Sequence, residues 1–161
     1  MAPLPPGIHS WQGNADIFAL PKTAFLCSRS VPASTVLRAY DWAEQMRREG
    51  RCVIGGFHSA IEQDVLRLLL RGTQPLVLVL ARGIKKQWPP EIQQALDAGS
   101  LLILSLFPDT LRRASAATAL QRNHVMCELA EDIVVAHARE GGQLEGLVRA
   151  LEGEKRERML L

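Results

Sequence analysis

Five short apolar runs, none of which alternates polar with apolar residues, constrain most tightly what this chain can fold into. They are residues 23–27 (TAFLC), 51–54 (RCVI), 76–80 (LVLVL), 101–104 (LLIL) and 133–136 (IVVA). A strand without alternation has to be covered on both faces, which is the habit of a central parallel sheet. Between the runs the hydrophobic period becomes helical. Val36, Tyr40, Ala43 and Met46 share one face, with Ser34 or Thr35 placed to cap the start and Gly50 to end it. Ile61, Val65, Leu68 and Leu69 mark a second helix, closed by Gly72. Pro90 suits the first turn of a third, which carries Ile92, Ala95 and Leu96 and stops before Gly99. A fourth covers roughly 119–131, with Val125, Met126 and Leu129 facing inward, and a fifth starts at Leu144. Strand and helix in this order predict right-handed crossovers. The expected fold is α/β: a Rossmann-like, doubly wound, mainly parallel sheet with helices on both faces.

The 161 residues carry 19 Lys and Arg against 17 Asp and Glu, a formal net charge of +2. With no internal repeat or low-complexity linker, that length predicts one domain over 1–161, with 1–22 as a lead-in and 152–161 as a charged tail. An apolar fraction of 47% with 22% charged residues excludes a disordered chain. No apolar run approaches the roughly 18 residues that cross a bilayer, and prolines occupy the N-terminal stretch where a signal peptide would be apolar. Cys27, Cys52 and Cys127 stand singly in apolar surroundings, with no C-x-x-C pair. This predicts buried, reduced thiols and a cytoplasmic location, and rules out a disulfide scaffold or a zinc ribbon.

In open α/β sheets, ligands bind beyond the carboxyl ends of the strands, where loops enter helices. After the five runs come Ser28-Arg29-Ser30, then Gly55-Gly56-Phe57-His58-Ser59, then Ala81-Arg82-Gly83 with Lys85 and Lys86. Ser105 with Phe107-Pro108 follows, and last Glu140-Gly141-Gly142-Gln143. Glycines let backbone N–H groups approach an anion, and helix dipoles favour negative charge there. With the cations beside them, they predict a phosphate-bearing ligand. Each feature also has a plain structural reading. A glycine pair can be a tight turn, His58 can simply open a helix, and Lys85 and Lys86 can be a solvated loop. Neither glycine pair makes a G-x-G-x-x-G or Walker loop, so no nucleotide cofactor is expected. His9, His124 and His137 are scattered, and no metal is expected either.

Taken in order, these segments resemble the DNA-processing protein A family (DprA, also called Smf). The family's V-G-S-R is matched by LCSR, with Ser28 and Arg29 kept. Its V-V-S-G-L-A-R-G-I-D corresponds to VIGGFHSAIE, with Gly56 kept, Ser59 in place of arginine and Glu62 in place of the final acid. Its V-L-G-x-G-L-D-x-x-Y-P corresponds to VLARGIKKQWP, which keeps Gly83 and an aromatic–proline pair, Trp88-Pro89. S-E-F-P appears as SLFP, and R-R-N-R as QRNH with Arg122 and Asn123 kept and Gln121 in place of the first arginine. The lead-in WQGNADIFALPKTAF and the end IVVAHAREGGQL also resemble family segments. The likeness covers about residues 11–150.

The resemblance implies a Rossmann-like domain that holds single-stranded DNA in a basic pocket at this edge and helps to load a recombinase. On that reading Arg29 and Arg122 neutralise phosphates, Gly55 and Gly56 offer backbone amides, and Asn123 bonds a base or sugar. His58, Arg82, Gly83, Gly141 and Gly142 complete the candidate set. A free nucleotide fits the same features. The alternative is an enzyme, a nucleoside monophosphate phosphoribohydrolase like the related Lonely Guy proteins. Their P-G-G-x-G-T-x-x-E is met here by EGGQLEGL, with Gly141-Gly142 matching and Glu145 falling early. A third class, a domain whose role is self-association as a homodimer, stays open.

Overall fold

A computed structural model describes residue 4, residues 6–151 and the backbone of 158–160. The elements run β1 (Ser10–Gly13), a 3-10 helix (Ala15–Ala19), β2 (Lys22–Cys27), α1 (Ala33–Glu49), β3 (Cys52–Gly55), α2 (Ala60–Leu70) and β4 (Leu76–Leu80). They continue with α3 (Pro90–Asp97), β5 (Leu101–Ser105), α4 (Ala116–Leu129), β6 (Asp132–His137), α5 (Gln143–Leu151) and β7 (Arg158–Leu160). The strands form one sheet in the order β1-β5-β4-β3-β2-β6-β7. Only β1 runs antiparallel to its neighbour. The doubly wound, mainly parallel α/β fold expected from the runs is the fold observed.

Successive residues of a strand face opposite sides, so each run feeds two cores. Phe25, Val53, Leu78, Ile103 and Val134 meet α1, α2 and α3 on one face. Ala24, Leu26, Ile54, Val77, Leu102 and Ile133 meet Ile17 of the 3-10 helix, α4 and α5 on the other. That double burial is why no run alternates. Phe25 stacks on Trp42 of α1 with ring centroids 4.9 Å apart, worth about 1 kcal/mol beyond the area buried.

Several local expectations shift. The buried face of α1 is Thr35, Ala39, Trp42, Ala43 and Met46. Tyr40 instead donates its hydroxyl to Asp64 on α2, and the stack on Phe25 fixes the rotation. The cap of α1 is Pro32, without a side-chain bond, so neither Ser34 nor Thr35 caps it. The helix α2 ends on Arg71 rather than Gly72. Inside α4 the buried residues are Arg122, Met126 and Cys127, whereas Val125 and Leu129 are half-buried. The lead-in supplies β1, and the charged tail supplies β7, which pairs with β6.

The chain moves outward from β2 through β3 and β4 to β5, with α1, α2 and α3 on one face. Then α4 carries it back across the other face to β6, on the far side of β2. The strand order therefore reverses between β2 and β6, and a crevice opens above their carboxyl ends. At that point Leu26 opposes Val135 but Cys27 opposes His137, so β6 holds one extra residue. Bulges of this kind redirect the backbone at the rims of sites.

Candidate functional site

The local sequence S-A-I-E starts the site. Ser59 caps α2 by accepting from the Glu62 N–H, while Glu62 reaches back to accept from the Ser59 N–H at 3.0 Å. This is a capping box, but the carboxylate does more than cap. It also accepts from the His58 N–H at 2.9 Å and, across to β2, from the Cys27 N–H at 3.0 Å. Glu62 is only 7% exposed, so three backbone donors satisfy an acid that would be costly to bury alone. Between β3 and this cap, Phe57 takes a left-handed φ of 49°. An aromatic residue adopts that conformation at a cost of about 1 kcal/mol or more. Its ring packs beneath Gly55, where a Cβ would approach it to 2.7 Å.

Arg122 of α4 is the second anchor, 4% exposed. Its Nε donates to Asn123 Oδ1 at 2.8 Å and its Nη1 to the Val79 carbonyl at 3.3 Å. Burial pulls its guanidinium below the ordinary value, and the Glu62 charge opposes that shift; arginine stays charged in either case. The guanidinium lies directly against Gly56, and a Cβ there would fall inside it. Gly56 is thus required by close approach of an arginine rather than by a turn. Gly141 is required by conformation, with φ of 75°, in the turn where the Gly142 N–H donates to the Arg139 carbonyl. Ser28 joins this turn to the end of β2. Its N–H donates to the His137 carbonyl at 2.8 Å and its Oγ accepts from the Arg139 N–H at 2.7 Å.

Together these pieces wall a cleft of about 470 Å³ above β2 and β6. It is lined by Ser28 and Arg29 after β2, His58, Ser59 and Glu62 at the start of α2, and Ala114, Ser115, Ala116 and Ala119 at the start of α4. Arg122 and Asn123 form part of the wall, and Arg139, Gly142, Gln143 and Leu144 close it at the start of α5. Three helix amino termini therefore open onto one space, each contributing partial positive charge. Among the described residues the only carboxylate in the lining is Glu62, and its oxygens accept from backbone donors. Cys27 also reaches the cleft, but burial and then the Glu62 charge push its thiol up to about 12. A thiol so held stays protonated at neutral pH and is no nucleophile.

Of the sequence-predicted residues, Ser28, Arg29, His58, Arg122, Asn123 and Gly142 line this cleft. Gly55 and Gly56 lie behind it, against Phe57 and Arg122, and Gly141 shapes its turn. Arg82 and Gly83 stand outside the lining. The Gly83 N–H donates to the Leu111 carbonyl at 2.8 Å, and a Cβ there would meet Asp109 Cα at 2.5 Å, so this glycine seats one loop on another. The candidate set left out Ser115, Arg139 and Glu62 of the lining, and also Ser59 and Gln143, which loop position had placed at this edge. The S-A-A-T capping box of Ser115 and Thr118 was a readable signal for the first. Among the described residues no group of three His, Cys, Asp or Glu could hold a metal ion, and no helix is long and apolar enough to cross a membrane.

Solved structures with this fold bear the same architecture. DNA processing protein A from Helicobacter pylori, whose structure concerns its single-stranded DNA binding mode, superposes with a TM-score of 0.79 at 14% identity. The match covers 99% of this chain and 78% of that one. DNA processing protein A from Streptococcus pneumoniae gives 0.73 at 20% identity over 92% of this chain, which spans about half (52%) of the pneumococcal one. A molybdenum cofactor binding protein from Rippkaea orientalis follows at 0.56 and 12%, covering 84% of this chain and 72% of its own. At these identities the likeness is one of fold. Comparison of the sequence with curated proteins gave no match. The family model for DNA recombination-mediator protein A, however, matches residues 2–158, nearly the whole sequence, and on that match the chain belongs to the DNA recombination-mediator protein A family.

Proposed function

We propose that the cleft above β2 and β6 binds single-stranded DNA through its phosphates, as part of DNA processing for recombination. The observation that carries this reading is the meeting of three helix amino termini with Arg29, Arg139 and Arg122 in one cleft whose single carboxylate is already engaged. Such a space attracts an anion, because three helix amino termini and three arginines outweigh the single charge of Glu62. In this reading Arg29 contacts phosphate directly, and Arg122 acts from the floor as a buried positive charge. Asn123, whose Oδ1 is held by Arg122, turns its amide toward a base or sugar. His58, Ser28 and the turn at Gly141 and Gly142 shape the wall. The Helicobacter pylori relative is a single-stranded DNA binder, and membership of the family points the same way. By the same membership we assign the protein a cytoplasmic location, with a homodimer and a recombinase as partners to be sought.

The phosphoribohydrolase alternative is weaker. Its candidate acid, Glu145, lies outside the cleft lining and pairs with Arg149 at 3.0 Å, and Glu62 already accepts from three backbone donors. The test is a fluorescence titration of labelled oligo(dT). The unchanged chain and Arg48→Ala, an exposed change on α1, should bind alike, and Arg29→Ala should bind at least tenfold more weakly. No binding by the unchanged chain, or release of free base from nucleoside monophosphates, would overturn the reading.

A further inference from the structure

Seven of the 19 Lys and Arg, but two of the 17 Asp and Glu, fall in the five loops at the carboxyl edge (28–32, 56–59, 81–89, 106–115 and 138–142), which leaves that edge at +5 and the rest of the chain at −3. The cleft accounts for only two of these loop cations, Arg29 and Arg139. Lys85, Lys86, Arg112 and Arg113 are all exposed, and none enters an ion pair among the described residues. Their two loops are fastened together. Besides the bond from the Gly83 N–H to the Leu111 carbonyl, Ser105 Oγ donates to the Arg82 carbonyl at 2.7 Å. The loop after β5 thus crosses over β4, presents Arg112 and Arg113, and then enters the cleft wall at Ala114 and Ser115. From β4 to the β2–β6 boundary is two to three strand spacings, about 12 Å.

We propose that Lys85, Lys86, Arg112 and Arg113 form a second phosphate-contacting segment, along which a strand seated in the cleft continues over β4. This rests on the single-stranded DNA reading of the cleft and extends it from a pocket to a path. Unpaired cations on loops pinned to each other and continuous with the wall meet successive phosphates without paying for reorganisation of the backbone.

The test uses labelled oligo(dT) of roughly four and roughly sixteen nucleotides, spanning common site sizes, on the full chain and on a K85Q/K86Q/R112Q/R113Q variant of unchanged thermal midpoint. The long probe should bind the unchanged chain at least tenfold more tightly than the short one. The fourfold variant should lose that gain, with its log–log salt slope reduced by about 2.8, that is about 0.7 for each of the lost contacts. Its affinity for the short probe should be unchanged, whereas Arg29→Ala should weaken the short probe. Undiminished binding of the long probe by the fourfold variant, or equal loss for both lengths, would overturn the path and leave the cleft reading standing. Failure of the unchanged chain to bind either length would overturn both.

Discussion

The two ends of the sheet treat charge in opposite ways. At the amino edge, charged groups find partners within the chain. Lys22, 5% exposed, donates its ammonium to the Leu20 carbonyl at 2.7 Å and lies 4.9 Å from the centre of the Phe18 ring. The Lys22 N–H donates to Glu131 at 2.5 Å, and Arg51 faces Asp132 at 3.9 Å. The hollow there is lined by Lys22, Arg51 and Asp132 among others, and each of these charges has a partner within the chain. At the carboxyl edge the one buried acid is consumed by backbone donors, and cations are left facing solvent. The same fold thus has one end built for cohesion and one left with positive charge to spend on a ligand. Net charge alone, at +2, conceals that division.

The contrast can be broken in several ways, beginning with the largest effect. Glu62→Gln places an amide N–H₂ among backbone donors and removes the charge facing Arg122. We expect a loss of at least about 3 kcal/mol in urea unfolding, because hydrogen bonds to a charged group contribute about 1.5–3 kcal/mol each and Glu62 accepts three. A loss below about 1 kcal/mol would show that the carboxylate is not the keystone of the edge. Arg29→Ala should cost about 1.5–3 kcal/mol of oligo(dT) affinity and leave the unfolding midpoint unchanged, because Arg29 is exposed. Gly56→Ala forces the buried guanidinium of Arg122 aside. It should destabilise by about 1–3 kcal/mol and weaken DNA binding in parallel, both measured on the same sample. Arg51→Ala, at the other edge, should cost less than about 1 kcal/mol, since both partners are well exposed. It should leave oligo(dT) affinity unaltered. A binding loss there equal to that of Arg29→Ala would abolish the distinction between the edges.

What the sequence revealed and what it concealed divide along physical lines. The runs at 23–27, 51–54, 76–80, 101–104 and 133–136 were legible because two-faced burial suppresses polar residues. That signal exists only for central strands. Both edge strands escaped it: β1 is four residues with Trp11 exposed at 39%, and β7 lies in a charged segment. The helix faces were legible to within about one residue. Tertiary packing, such as the Phe25–Trp42 stack, sets the remaining rotation. In the cleft, the family resemblance pointed to Asn123, which lies inside α4, and loop position pointed to Arg29. It also pointed to Arg82, which half-buries itself against the Gly83 carbonyl. The role of Gly56 depends on Arg122, far away in sequence, and no local pattern announces that contact. Ser59 reads as the loss of a family arginine, yet in the structure it is the cap that sets Glu62 in place.

The most direct measurement of the central claim is hydrogen exchange of the full chain with and without saturating oligo(dT). The account predicts added protection in the loops at 28–32, 106–115 and 138–142, and none around 20–23, 50–52 and 73–76 at the opposite edge. Protection at that opposite edge, or oligo(dT) binding that leaves all three carboxyl-edge loops exchanging as before, would contradict it.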